Sequence, residues 1–398
     1  MVTLSFQDFT FDAKPEYVRF NFLTLYYFDV PQDEIEASGI VEVRKKELVF
    51  KTEKQYVAEH ALNTLLQKHF PHLINRIKKN ETTYIHKNSG IPLLGTLYFG
   101  IVDRNTNVID LKPITGCNID CIFCSVDMGR RERDFIVEKD YLVQETEKVV
   151  AFKNTENIHI VINPHGDPTL YHDLAPLVRD LKKIKGVKTV AIYTNAVLLS
   201  KKLVDELAAA GLDQCSVSLH AMTPDKAKKV EGAPINIEHI KDNVRYAARH
   251  FEIVIAPVLM MGINDAEIPL IIDFAKSIQG KFPVKIGIQN FLSYEYGKKP
   301  AKELPWNAFY NYLDELEREK GFDLHPKFDI VPSAKLPKPF QKGDIVEADV
   351  KCPGRLPGEV IAVAKDRCIT VLKCPQGKQK VKVKITRSKH NIFYGFAV

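Results

Sequence analysis

The run Gly116-Cys117-Asn118-Ile119-Asp120-Cys121-Ile122-Phe123-Cys124 decides how this chain is read. It places three cysteines in a C-x3-C-x2-C spacing directly after a strand-like run, Val108 to Pro113. Soft thiolates at this density select iron–sulfur clusters or zinc. A closed zinc site needs four ligands, usually as paired C-x2-C or C-x2-C with His, and no fourth Cys or His lies nearby. A cubane cluster normally takes four cysteines, so three leave one iron without a protein ligand. The competing reading is chance thiols or a structural metal loop.

With Phe123 just before its third cysteine, the motif resembles that of the radical SAM superfamily. The resemblance implies a 4Fe–4S cluster on Cys117, Cys121 and Cys124. The open iron would chelate the amino and carboxylate groups of S-adenosylmethionine. An electron from the cluster would then cleave it to methionine and a 5′-deoxyadenosyl radical.

The surrounding sequence repeats strand, loop and helix. Val108–Lys112, Ile158–Asn163, Thr189–Thr194, Gln214–Leu219, Ile253–Met260 and Lys285–Gln289 read as strands. Val143–Phe152, Leu174–Ile184, Lys201–Ala210, Ile237–Arg249 and Ile268–Ile278 read as amphipathic helices between them. Repeated βα units predict an α/β fold with a parallel sheet, a whole or partial barrel of the TIM type. In such barrels the working residues stand at the C-terminal ends of the strands.

The resemblance recurs at those ends, over about residues 100–335. Asn163-Pro-His-Gly-Asp-Pro-Thr-Leu occupies the place of a Gly-Gly-Glu-like turn that receives the amino group of S-adenosylmethionine. Gly166 and Asp167 match it, whereas His165 stands for the first Gly and Asp167 for Glu. Thr194 and Asn195, in Tyr-Thr-Asn-Ala, resemble a Thr-Asn-Gly cofactor turn that also reads as a plain turn. In Ser216-Val-Ser218-Leu-His220-Ala221 the resemblance brings Ser218 to the cofactor ribose or carboxylate. His220 alternates with Ser218 on one strand face and reads as a catalytic proton donor near the substrate or as a satisfied core histidine. Gly262-Ile263-Asn264-Asp265 resembles a turn supporting the adenine, with Ile263 on the base and Asp265 capping the next helix. Gln289 and Asn290 are further contacts for adenine or substrate.

Three segments emerge: 1–95, 96–334 and 335–398. The first carries no cysteine and reads as a small α+β domain of no evident chemistry. It has strand-like runs Phe20–Phe28 and Ile40–Phe50, and a helix Lys54–Phe70 that Pro71 ends. The last follows Pro332, Pro337 and Pro339 and reads as five short strands: Asp344–Val350, Glu359–Ala364, Cys368–Leu372, Gln379–Thr386 and Ile392–Val398. That is a small closed barrel of the OB type. In length, position, the opening Lys-Gly-Asp-Ile-Val and a basic strand, it resembles a TRAM domain, which implies RNA binding, chiefly of tRNA. A generic barrel packing on the core is the plainer alternative.

Net charge is +6, but residues 336–398 hold 13 Lys and Arg against 5 Asp and Glu. Lys373, Lys378, Lys380, Lys382, Lys384, Arg387 and Lys389 follow one another without an acid. Lys380, Lys382 and Lys384 alternate with Val381, Val383 and Ile385 as a lysine comb on one strand face. Such a tract reads as an RNA-binding footprint or as a solvated Lys-rich surface. Three cysteines lie here as well. Cys352, Cys368 and Cys374 admit three readings: structural, with a Cys352–Cys374 disulfide in a heat-adapted organism; redox-active or methyl-carrying; or a second cluster. Cys215 reads as a buried hydrophobe.

Composition is globular, at 45% hydrophobic and 27% charged. The first residues lack a basic and apolar leader pattern, and the longest apolar run, Ile253–Ile263, is broken by Pro257. The expectation is a cytoplasmic protein with no membrane partner, in the reducing compartment that such a cluster needs. Pairing a radical generator with a basic barrel predicts modification of RNA, chiefly of a tRNA base, by methylation or other C–H functionalisation. An electron donor such as ferredoxin or flavodoxin would serve it. Two alternatives stand: an enzyme acting on a protein or small metabolite, with a structural barrel, and a non-catalytic RNA-binding iron–sulfur protein.

Overall fold

A computed structural model describes residues 1–375 and 377–398. At its centre is a seven-stranded sheet in the order Lys285–Ile286, Glu252–Ile255, Gln214–Val217, Val187–Thr194, Ile158–Ile162, Val108–Lys112 and Gly100–Asp103. The first six run parallel, and Gly100–Asp103 closes one edge antiparallel to Val108–Lys112. The central strands turn apolar rows outward onto the helices. Ile158, Ile160 and Ile162 are fully buried on one face, as are Leu177, Val178 and Leu181 on the Leu174–Lys182 helix. The opposite faces line a cavity: Gln214 and Ser216 from one strand with Ser218 just beyond its end, and Val254, Ala256 and Val258 from the next segment. Period-two alternation thus separates the core from the working interior. The open parallel sheet is the partial barrel that the βα repeat predicts.

Two expected strands are interrupted. Ile253–Met260 divides into Glu252–Ile255 and Val258–Leu259 around Pro257, which has no N–H to give the ladder. Lys285–Gln289 likewise divides into Lys285–Ile286 and Gln289–Asn290, and the outer pieces pair with each other. The helices Pro224–Glu231 and Trp306–Lys320 were not expected from the sequence.

The N-terminal segment forms two antiparallel sheets around a phenylalanine-rich core that includes Phe11, Phe20, Phe22 and Phe28. Phe20–Phe28 and Ile40–Phe50, expected as continuous strand-like runs, are hairpins. Leu23 and Thr24 turn the first with φ of 46° and 66°. The helix spans Gln55–His69. Arg133–Val137, which follows the cysteine loop, pairs in parallel with Glu81–Ile85 and so extends the N-terminal sheet.

The C-terminal segment is a closed five-stranded barrel of Ile345–Pro353, Val360–Ala364, Arg367–Leu372, Lys380–Arg387 and Tyr394–Ala397. It is clamped to the rest by backbone hydrogen bonds from Cys368 N–H to Leu94 and from Phe393 N–H to Gly95, each 2.8 Å. At Gly95, with φ of 122°, a Cβ would lie 2.1 Å from the Cys368 carbonyl oxygen, so only glycine admits this approach. Among the described residues, no helix is long and apolar enough to cross a membrane.

Candidate active site

Cys117, Cys121 and Cys124 line one cavity of about 1440 Å³ at the C-terminal ends of the parallel strands. Their loop is fixed from two sides. The end of the Pro224–Glu231 helix accepts Asp120 N–H on the Glu231 carbonyl and Ile122 N–H on the Val230 carbonyl, at 3.1 and 3.0 Å. Opposite, Lys298 donates its backbone N–H to the Cys124 carbonyl at 3.0 Å, and its Nζ lies 2.6 Å from Asp120 Oδ1. Neither Glu231 nor Lys298 was anticipated, because their role depends on contacts across more than a hundred residues.

The donor set fits an iron–sulfur cluster. Three partly exposed thiols share the cavity, and among the described residues no three His, Cys, Asp or Glu gather closely enough to hold a single metal ion. Beside Cys117, the buried Asn118 Nδ2 has no hydrogen-bond partner. Burial pushes the Cys117 thiol up to about 12 and Cys121 well above its ordinary value. Cys117 and Cys121 thus hold their protons without metal, and cluster binding must displace them. Cys121 Sγ donates to Glu231 Oε2 at 3.2 Å, and burial lifts that carboxyl to about 7.

The turn after the second core strand lies against the cysteine loop. A Cβ on Gly166 would sit 2.0 Å from the Gly116 carbonyl oxygen, so glycine is required for the contact. Asp167 is buried, and its carboxylate already accepts from Thr169 N–H, Thr169 Oγ1, Thr194 Oγ1 and Asn195 N–H. Burial raises its pKa against the pull of these donors. The carboxylate anchors the turn rather than offering a free acceptor, which leaves backbone carbonyls for an ammonium. Asn195 reaches Asn118 Oδ1 at 2.8 Å and Cys117 Sγ at 3.9 Å. Ala196, where the resemblance has Gly, is held at φ of 58°.

Phe123 stands edge-on to His220, with ring centroids 4.4 Å apart. His220 Nδ1 accepts from Val258 N–H at 3.0 Å, and burial lowers its pKa to about 3. The ring is therefore neutral and carries its proton on Nε2. The ring packs against Phe123 and also lines the cavity. Ser218 and Gln289 line the cavity, and Asn290 sends its Nδ2 to the Leu304 carbonyl at 2.9 Å. Ile263 lies outside the lining, in an apolar cluster with Val230, Met260 and Phe291. Asp265 does not cap the next helix. A short 3-10 turn, Asp265–Glu267, intervenes, and Glu267 bonds back to Met222 and Thr223.

The basic tract is also redrawn. Lys380, Lys382 and Lys384 are exposed and alternate with buried neighbours, as expected. However, the strand register sets Asp349 opposite Lys380 and Glu347 opposite Lys382, so the comb shares its face with two acids. Lys380 Nζ lies 3.7 Å from Glu347 and 4.0 Å from Asp349. Lys373, Lys378 and Lys389 lie at strand ends or turns of the barrel, and only Arg387 of the tract lines the cavity.

The three C-terminal cysteines do not form one group: Cys352 and Cys368 are neighbours on the outer side of the barrel wall, and Cys374 lies on the inner side. All seven cysteines are free. Cys374 belongs to the barrel's own core, whereas Cys368 packs outward with its Sγ 3.1 Å from the Pro92 carbonyl. Cys352 is half-buried beside Thr83 and Arg133. A Cys352–Cys374 disulfide, one of the readings left open, is not formed because the two side chains face opposite sides of the barrel wall. Cys215 is fully buried.

Other cavity residues carry no local sequence signal: Lys112, Arg355, and the aromatic group Trp306, Tyr310 and His325. Only the spacing of Trp306, Phe309, Leu313 and Leu316 would have marked the helix that bears the first two.

Comparison with known proteins accords with this site. The family model of the radical SAM superfamily matches residues 111–275. An uncharacterized protein of Methanocaldococcus jannaschii is 33% identical over 92% of this chain and 91% of its own length. A GTP 3',8-cyclase of Aquifex aeolicus is 28% identical, over 44% of this chain and 55% of the cyclase, so the similarity spans about half of that relative. Among solved structures, Streptococcus suis SuiB bound to precursor peptide SuiA superposes with a TM-score of 0.44 at 13% identity, covering 81% of this chain and 72% of that one. With its cysteine triplet at the mouth of a parallel α/β sheet and this family match, the chain belongs to the radical SAM superfamily.

Proposed function

We propose that the protein modifies RNA, most directly a tRNA base, using a 4Fe–4S cluster on Cys117, Cys121 and Cys124 together with S-adenosylmethionine. When bound, that pair supplies hydrogen-atom abstraction from unactivated carbon. The chain's own part is positioning. The Gly166–Asp167 turn and Asn195 shape the cofactor side of the cavity, and Phe123 on His220 packs beside the cysteines. In this reading residues 96–334 do the chemistry and 335–398 act as a TRAM-like module that presents RNA. The division at 95 assigns no chemistry to the first segment. A ferredoxin- or flavodoxin-type donor in the cytoplasm supplies the electron.

One observation carries this reading: an exposed aromatic ladder on the cavity rim. The Trp306 and Tyr310 rings stack at 6.0 Å and 29°, and Tyr310 and His325 at 6.1 Å and 27°. Trp306 is 53% and Tyr310 48% exposed. Exposed stacked rings beside a deep cavity suit unpaired bases, each worth about 1–3 kcal/mol. The double variant Trp306→Ala/Tyr310→Ala should weaken binding of a single-stranded RNA by about tenfold or more in fluorescence anisotropy. Unchanged affinity would overturn this reading.

A second reading, a free nucleotide as substrate, is favoured by the acids facing the comb, since Glu347 and Asp349 reduce the barrel's attraction for a long polyanion. The relative named GTP 3',8-cyclase likewise acts on a nucleotide.

A further inference from the structure

Where the core sheet meets the C-terminal barrel, one wall of the cavity is cationic. Arg104, Lys112, Arg355 and Arg387 all line it. Two of them are built into the interior: Lys112 and Arg355 are each 3% exposed. Arg104 and Arg387 stand at the exposed rim.

Neither buried cation makes a direct ion pair among the described residues, although Asp110 and Glu359 lie near them. Among the described residues, no carboxylate lies within 4.0 Å of Lys112, Arg355 or Arg387. Lys112 gives its Nζ to the Asn163 carbonyl at 2.7 Å. Arg355 lies over the Tyr98 ring at 4.3 Å and sets Nη1 3.0 Å from His165 Nδ1, while its Nε has no partner. The neighbouring Glu359 carboxylate is engaged by Tyr98 Oη at 3.1 Å and Leu356 N–H at 3.1 Å, and burial raises its pKa. Asp110, the acid whose charge acts on Lys112, is itself paired with Arg104 at 3.2 Å.

Burying an unpaired guanidinium is costly unless a ligand returns the lost interactions. A tetrahedral oxyanion does so, because guanidinium donors match it in pairs and an ammonium adds a point charge. The wall touches the turn holding His165 and Gly166, which in turn touches the loop before Cys117. An anion held here therefore shares the cavity with the cysteines.

We propose that Lys112 and Arg355, flanked by Arg104 and Arg387, form a phosphate-binding site that holds a phosphate group of the substrate. The proposal rests on the reading that the substrate contains a nucleotide. The phosphate of an RNA backbone and that of a free nucleotide offer the same chemistry, so the test separates them.

The full-length, cluster-loaded protein is titrated by calorimetry with inorganic phosphate, AMP and adenosine, and by anisotropy with a single-stranded RNA. AMP and phosphate should bind, AMP at least tenfold more tightly than adenosine. Arg355→Gln and the rim variant Arg387→Gln should each weaken phosphate and AMP several-fold or more. Arg387→Gln changes an exposed side chain and keeps the test valid if Arg355→Gln fails to fold. Equal affinity for AMP and adenosine, or unaltered phosphate binding in folded variants, would overturn the site. If RNA still binds in that case, the site fails and the RNA reading survives. If phosphate and AMP bind through these residues but RNA does not, the site stands and the substrate is a free nucleotide.

Discussion

Arg355 Nη1 lies 3.0 Å from His165 Nδ1, joining the C-terminal barrel to the turn that packs on the cysteine loop. This contact explains a departure in sequence. His165 occupies the position of a glycine in the resembling turn, and its ring is the acceptor for an arginine contributed 190 residues later. Burial, with Lys112 and Arg355 nearby, holds its pKa well below the ordinary histidine value, so the lone pair on Nδ1 stays available.

His165→Ala should therefore remove an acceptor from a buried guanidinium and lower stability by about 1–3 kcal/mol. Urea denaturation of the mutant against wild type measures it. A difference near zero would show that the contact contributes nothing to the join.

The turn itself should be intolerant. Gly166→Ala drives a methyl into the Gly116 carbonyl, and Asp167→Ala strips the partners from Thr194 and Asn195. Each should cost about 2–4 kcal/mol. Asp167→Asn, which keeps an acceptor oxygen, should cost less and retain S-adenosylmethionine binding. If instead Asp167→Asn folds normally and loses the cofactor in equilibrium dialysis, the carboxylate contacts it directly.

The lysine comb should matter less than its sequence implies. Each phosphate contact contributes about 0.7–0.9 to the slope of log affinity against log salt. Lys380 sits between Glu347 and Asp349, so Lys380→Gln should leave the slope of RNA binding unchanged. Lys384, opposite Ile345, has no such acid across from it, and Lys384→Gln should flatten the slope by about one contact. Equal effects from both variants would mean that the cross-strand acids do not screen the comb.

Lys112 should make stability depend on alkaline pH. Burial lowers its pKa from 10.5 to about 8, with Arg104 and Arg355 pushing the same way and Asp110 opposing. Below pH 8 the lysine is charged in both states and the folded state bears the burial cost. Between about 8 and 10.5 the unfolded chain holds more protons, so this group's contribution to stability rises with pH, by up to roughly 3 kcal/mol. The stability of wild type minus that of Lys112→Met should climb across this interval. A flat difference would place the lysine in a wetter setting.

Much of the fold was legible because its signals are local. The βα repeat from Val108 to Ile286 and the C-x3-C-x2-C spacing each lie within a short window, and alternation placed Ser218 on the cavity face. What was not legible is non-local. No window of sequence sets Glu347 across from Lys382, points Cys352 and Cys374 to opposite sides of a barrel wall, or brings Arg355 to His165. The free appearance of Asp167 in sequence likewise concealed four donors gathered from two turns.

The central claim is radical chemistry on RNA at Cys117, Cys121 and Cys124. Its most direct test is mass spectrometry of nucleosides from tRNA incubated anaerobically with reconstituted protein, S-adenosylmethionine and a reductant. The account predicts 5′-deoxyadenosine together with a mass-shifted nucleoside, both lost when the three cysteines are replaced by Ala. Release of 5′-deoxyadenosine with every nucleoside unchanged, across tRNA from cells lacking the gene, would contradict it.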